Sequence, residues 1–198
     1  MKLVLRSAAV VLSVAALGGV SSASGAMATK TDGAFARQMQ AHHSMAIQMA
    51  MMATEEGEHK AVRSTARNIV KRQRHEIDRL MRIAERRDIA PSATHGNTQT
   101  VDDLATLGLT RRKAGMHTDM TGLHGANPFD RRFIEMMVPH HEGALRMASA
   151  ELKRGKVGEL RAIARSIVES QAEEIRQMKK WRATWYGSQP REGSVPTR

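Results

Sequence analysis

Cysteine is absent from this 198-residue chain, so no disulfide can staple the fold and no thiolate can act as a nucleophile or metal ligand. Aromatic side chains are nearly as scarce. Three Phe, two Trp and one Tyr are too few to build the stacking platforms on which single-strand binders hold bases. Acidic residues are outnumbered, 20 Asp and Glu against 31 Lys and Arg, for a formal net charge of +11. That excess does not form a nucleic-acid footprint, because Lys and Arg are scattered along the sequence and interleaved with Glu. It reads as a solvated basic surface with no nucleic-acid partner. The chain also lacks a Gly-rich phosphate loop and a Ser matched with His and Asp, which leaves nucleotide and hydrolytic chemistry without a foothold. No apolar run reaches the ~20 residues that a membrane-spanning helix needs.

The first residues predict export. Lys2 and Arg6 give a positive start, Ala8 to Val20 is a short apolar run, and Ala26-Met27-Ala28 offers a small-x-small cleavage site. Residues 1–28 are therefore expected to be a secretory signal peptide. The mature chain would be periplasmic, envelope-associated or secreted, with no stable membrane insertion after cleavage. No Cys follows the apolar run, which excludes a lipoprotein anchor.

What is abundant is organised by a duplication. The chain aligns with itself without a gap, pairing Phe35 with Phe133, Met39 with Met137, His42 with His140, His43 with His141, Met49 with Met147 and Gly57 with Gly155. The match continues through Arg63/Arg161, Ile69/Ile167, Gln73/Gln171, Glu76/Glu174 and Ile77/Ile175. Each copy reads as a helical hairpin with a Met- and Ala-rich first helix, a break near Gly57 or Gly155, and a second helix rich in Arg, Ile, Gln and Glu. The fold class expected is all-α: a ferritin-like antiparallel four-helix bundle made of two duplicated hairpins. Hairpin 1 should cover about 33–88, a long crossover about 89–129, hairpin 2 about 130–186, and residues 187–198 a disordered tail. Residues 29–186 would then be a single domain.

The first helix of each hairpin carries the chemistry. At 100° per residue, Met39, His42, His43, Ala46 and Met49 share one face, as do Met137, His140, His141, Ala144 and Met147. Imidazoles and thioethers thus occupy core positions where Leu would normally sit. Neutral imidazole is a common metal ligand and thioether a soft donor suited to Cu(I), with Ag(I) as a mimic. The expected metal ligands are His42, His43, His140, His141, Met39, Met49, Met137 and Met147. Met45, Met51, Met52 and Met136 read instead as packing. Gln73, Glu76, Gln171 and Glu174 interrupt the apolar stripes of the second helices, and Glu76 and Glu174 could orient a ligating His or pair with a buried Arg. Met116, His117, Met120 and His124 in the crossover, with His95 upstream, form a looser set of auxiliary ligand candidates. His59 and His75 have no matching His in the other copy and stay outside the core site.

The segment FDRRFIEMMVPHHEGALRMASAELKRG, followed by LRAIARSIVESQAEEIRQMKKW, closely resembles the domain of unknown function 305 family. The first copy, with AHHSMAIQMA where the second has PHHEGALRMA, resembles it as the more divergent half. That resemblance implies a ferritin-like four-helix fold in small exported bacterial proteins, some of which bind copper and are linked to metal tolerance. By position, the family's His-His and Met motif falls on Met39, His42, His43 and Met49, and on Met137, His140, His141 and Met147. Ala41 and Ser44 stand where the second copy has Pro139 and Glu142, so equal use of the two arms is not implied.

Three functions are compatible with this pattern. The leading one is a non-enzymatic exported protein that binds copper, Cu(I) or Cu(II), for buffering, transfer or tolerance. A ferritin-like Fe or Mn oxidase is the second, although its inward acids are only Glu76 and Glu174. A helical interaction module without metal is the third. The expected partner is a metal ion, and self-association into a homo-oligomer stays open.

Overall fold

The computed structural model describes residues 26–91, 98–117 and 120–187. The apolar stretch Ala8 to Val20, His95 and the tail beyond Gly187 lie outside the described residues. Every regular element described is helical: α1 (Lys30–Glu56), α2 (Lys60–Arg86), α3 (Thr98–Leu107), a single 3-10 turn at Met120–Gly122, α4 (Phe129–Arg154) and α5 (Gly158–Tyr186). None of the described helices is long and apolar enough to cross a membrane.

Helix α1 starts at Thr29, whose side chain accepts from the Asp32 backbone N–H while Asp32 accepts from the Thr29 N–H, a reciprocal capping box. It stops at Gly57, and α4 stops at Gly155. Each hairpin turn is then closed by a repeated arginine. Arg63 donates to the carbonyls of Gly57 and Glu58 at 2.6 and 2.8 Å, and Arg161 to those of Leu152 and Gly155 at 2.6 and 3.1 Å. These bonds satisfy carbonyls left open at the end of each first helix.

The arms also cap each other. Asp130 of α4 accepts from the Glu58 and His59 N–H groups at 2.9 and 2.8 Å. Asp32 of α1 accepts from Lys156 and Val157 at 3.0 and 2.9 Å. Neither His59 nor Val157, the residues at the N-caps of α2 and α5, has a side chain that caps its own helix. The aspartate from the opposite arm supplies the missing acceptor. Both aspartates are fully buried, so each hairpin turn is tied to the start of the other arm's first helix.

Packing follows the amphipathic stripes. In α2 the buried positions are Val62, Ala66, Ile69, Gln73, Glu76, Leu80, Ile83 and Ala84, a 3-4 spacing along one face. α1 packs along α2, α4 along α5, and α1 against α4, while the α2–α5 contact is slight and α3 lies mainly on α1. The α1–α4 seam is therefore the centre of the molecule. Arg37 holds α3 to α1 through paired bonds to Asp103 at 2.6 and 2.8 Å, and Gln38 adds a third at 3.0 Å.

Candidate metal centre

The α1–α4 seam is where both repeated faces meet. Met39, His42, His43, Met49, Met137, His140, His141 and Met147 are all fully buried. Met39 shares an apolar cluster with Met147, Phe35 and Ala144, whereas Met49 shares a different one with Met137, Phe133 and Ala46. The helices thus run antiparallel, with the imidazoles at the level between two thioether pairs. The sequence places four His and four Met in one site; the fold separates the thioethers into one pair on each side.

At the seam the rings of His42 and His140 stack, centroids 3.6 Å apart and planes within 15°. Nε2 of His42 lies 3.0 Å from the His140 carbonyl oxygen, and Nε2 of His140 lies 3.1 Å from that of His42. The pseudo-symmetry breaks at the second nitrogen. Nδ1 of His140 faces the Gly115 carbonyl oxygen at 2.8 Å, whereas Nδ1 of His42 has no partner. Burial, reinforced by the His141 imidazole, drives the His140 pKa down to about 3. His42 is pushed well below its ordinary value by burial, then by His140, His43 and His141. Both rings are therefore neutral, each with one N–H. His140 faces an acceptor at both nitrogens, so one of its lone pairs points at a carbonyl oxygen.

His43 and His141 are held by the polar residues of the second helices. Nε2 of His141 is hydrogen-bonded to Glu174 Oε2 at 2.7 Å. Nε2 of His43 lies 2.8 Å from Glu76 Oε2, an ion-pair distance at which the angle falls short of a hydrogen bond. Glu174 also receives Arg72, whose side chain is 36% exposed, at 2.9 Å, so this one carboxylate contacts both an imidazole and a guanidinium. In both cases the contact leaves Nδ1 of His43 and His141 unpaired. Gln73 Oε1 and both amide atoms of Gln171 are buried without partners as well. Buried polar atoms are seldom left so, and here they concentrate around the imidazoles.

The crossover covers the seam from one side. Gly115, at φ +68°, lies against the His140 backbone, and a Cβ there would sit 2.8 Å from His140 Cα. Gly143, one helical turn beyond Pro139, allows this approach: a Cβ on it would collide with the Ala114 carbonyl. The equivalent residue in α1 is Met45, so only the second arm can receive the strap.

The looser candidates do not join the core rings. His117 is exposed and Met116 buried in the strap. Met120 packs against the cluster that contains Met49 and Met137. His124 is exposed and paired with Glu56 at 2.6 Å. Of the methionines read as packing, Met136 is 4% exposed, but Met51 is 44% exposed because it lies on the outer face of α1 near Arg74. Among the described residues, the trio of His, Asp and Glu donors that all lie within 4.8 Å of one another is Glu58, His59 and Asp130, away from the seam. Sequence reasoning passed over Asp32 and Asp130, although they obey the same repeat three residues ahead of Phe35 and Phe133. Gly143 was detectable too, as a glycine inside a helix that faces Met45 in the alignment.

The profile of the family "Domain of unknown function (DUF305)" matches residues 32–182, and the chain belongs to that family. Solved structures agree. CopM in its Cu(I)-bound form is 32% identical, with 79% of this chain and 98% of that one covered at a TM-score of 0.65. CopM in its Cu(II)-bound form is also 32% identical, with 78% and 98% covered and a TM-score of 0.63. A DUF305 protein from Streptomyces coelicolor is 26% identical, with 77% and 92% covered and a TM-score of 0.68. A comparison with curated protein sequences finds no match.

Proposed function

We propose that this chain is an exported copper-binding protein that buffers or transfers the ion, taking it at the α1–α4 seam through His42, His43, His140 and His141. Met39 and Met147 on one side, and Met49 and Met137 on the other, would complete a soft donor set. The observation that carries the reading is the set of fully buried imidazoles in which Nδ1 of His42, His43 and His141 has no hydrogen-bond partner. Unpaired lone pairs in a dry seam are costly unless a cation meets them. Imidazole and thioether without thiolate suit Cu(I) and its mimic Ag(I). The Cu(I)-, Cu(II)- and Ag-bound forms of the related CopM support the same choice of ion. Glu76 and Glu174 each face an imidazole, which argues for orienting ligands rather than bridging two hard metals as in ferritin-like oxidases. The bundle class is read as ferritin-like, and the N-terminal signal of residues 1–28, most of it ahead of the described residues, as the export device.

The test is anaerobic Cu(I) titration against a chromophoric competitor. Replacing His42, His43, His140 and His141 together with Ala should abolish tight binding. A gentler variant guards against misfolding: Met39→Leu with Met147→Leu keeps core volume and should weaken Cu(I) at least about tenfold. Unchanged Cu(I) affinity in the folded histidine variant would falsify the assignment, and unchanged affinity in the methionine variant would remove the thioethers from the ligand set.

A further inference from the structure

The turn between α1 and α2 holds more polar chemistry than closing the turn requires. In the second arm, Asp32 caps the backbone of Lys156 and Val157, whose side chains add no donor to it. In the first arm, Asp130 performs the same capping, but the capped residues are Glu58 and His59. The two turns differ in side chains at matching positions, and only one of them assembles three ligand types. One donor atom each from Glu58, His59 and Asp130 lies within 4.8 Å of the others. His59 Nδ1 and Asp130 Oδ2 are 2.8 Å apart, close to the roughly 3 Å that separates neighbouring ligands on one ion with bonds of about 2.0–2.2 Å.

The site is accessible and firmly built. The His59 side chain is 41% exposed while Asp130 is fully buried, so the carboxylate is fixed and the imidazole meets solvent. His59 lies flat on Trp185, ring centroids 3.7 Å apart and planes within 2°, and Trp185 stacks in turn on Trp181 at 5.3 Å. That stack fixes the plane of the imidazole. Tyr186 donates to Glu58 Oε2 at 3.4 Å. Burial, then the carboxylates of Asp130 and Glu58, pushes its phenol up to about 12, so it remains a neutral donor.

We propose that Glu58, His59 and Asp130 form a second, solvent-facing site for a divalent cation of the Cu(II) class. One imidazole nitrogen with carboxylate oxygens and no sulfur suits a borderline divalent ion, in contrast to the soft seam. A neutral His59 ring offers the Nδ1 lone pair to the ion by carrying its single proton on Nε2, so the ring enters the site with no net loss of a proton. The inference does not depend on the seam binding copper.

Trp181 and Trp185 are the two tryptophans of the chain, and both belong to the stack over His59, so the site carries its own reporter. Tag-free full-length protein is titrated with Cu(II) while tryptophan emission is followed. Wild type should be quenched as the first equivalent is added. Glu58→Lys with His59→Val installs the residues of the second-arm turn and keeps the Asp130 cap; it should fold with unchanged circular dichroism. The Cu(II) concentration for half-quenching should then rise at least about tenfold, and His59→Val alone should show the same direction of change. Quenching at the wild-type concentration in these variants, which would mean that copper acts from the seam or by collision, overturns the proposal. So does wild-type emission that equimolar Cu(II) leaves untouched.

Discussion

Glu151 stands in α4 where α1 has Ala53, and its surroundings make it a titrating liability. It is fully buried, no donor group reaches either oxygen of the ionised carboxylate, and it presses on Gly155 beside Asp32. Burial, then the Asp32 charge and a hydrogen bond that the protonated carboxyl gives to Asp32, pushes its pKa up to about 8, with Arg161 opposing. Burial would raise Asp32 as well, but bonds from Thr29, Val157 and Lys156 hold that carboxyl below its ordinary value. Glu151 is thus the protonated member of the pair at neutral pH. A carboxyl whose folded pKa exceeds its unfolded value binds its proton more tightly in the native state, so stability falls as pH rises between the two. The window runs from the ordinary value of 4.5 to about 8, with a plateau above. Glu151→Gln cannot ionise and should flatten that slope. In thermal melts, wild type should lose Tm from pH 5 to pH 8 while the variant holds, gaining about 2–4 °C for each kcal/mol recovered. Parallel Tm profiles for the two proteins would show that Glu151 does not titrate in this range.

Helix α4 differs from its copy α1 in one respect that decides how the seam is covered. Pro139 and Gly143 stand where α1 has Ala41 and Met45, and the strap of residues 110–116 lies on that patch of backbone. The strap is held by the bond between Gly115 O and His140 Nδ1 and by Arg146 donating to the Lys113 carbonyl at 3.1 Å. A methyl group at Gly143 would meet the carbonyl of Ala114 and the nitrogen of Gly115. These are backbone atoms, which cannot rotate away. Gly143→Ala should therefore lift the strap despite its better helix propensity, with the usual overpacking cost of about 1–3 kcal/mol. Gly158→Ala is the control, since a Cβ there meets nothing within 4 Å. Nitrogen-15 shifts of the His140 ring should report loss of the Nδ1 bond in Gly143→Ala and no change in the control. An unaltered His140 spectrum together with an unaltered Tm would mean that the strap does not hold the ring.

Across the whole molecule, what the sequence announced was the repeated periodic part. The 3-4 stripe of α2 and the His-His and Met faces of α1 and α4 are local patterns, and each of those residues is buried as periodicity requires. What periodicity could not supply was anything set by contact between arms. The reciprocal Asp32 and Asp130 caps, the division of the thioethers into two pairs, and the docking of Gly115 on Gly143 depend on how the hairpins meet, which leaves no trace in spacing. The four core imidazoles make a consequence testable on the intact fold. Ring nitrogens without partners weaken the metal-free state, so an ion that binds only the native chain should stabilise it by mass action, by about 2.7 kcal/mol at a free concentration 100 times its Kd. At about 2–4 °C per kcal/mol for a chain of this size, saturating Cu(I) should raise Tm by about 5–11 °C under anaerobic conditions. The Met39→Leu, Met147→Leu variant should show a smaller rise at the same free Cu(I). Glu58→Lys with His59→Val should keep the full rise, because its altered residues lie at the α1–α2 turn. An equal rise in wild type and in the methionine variant would leave the thioethers as packing alone and confine the ligand role to the imidazoles.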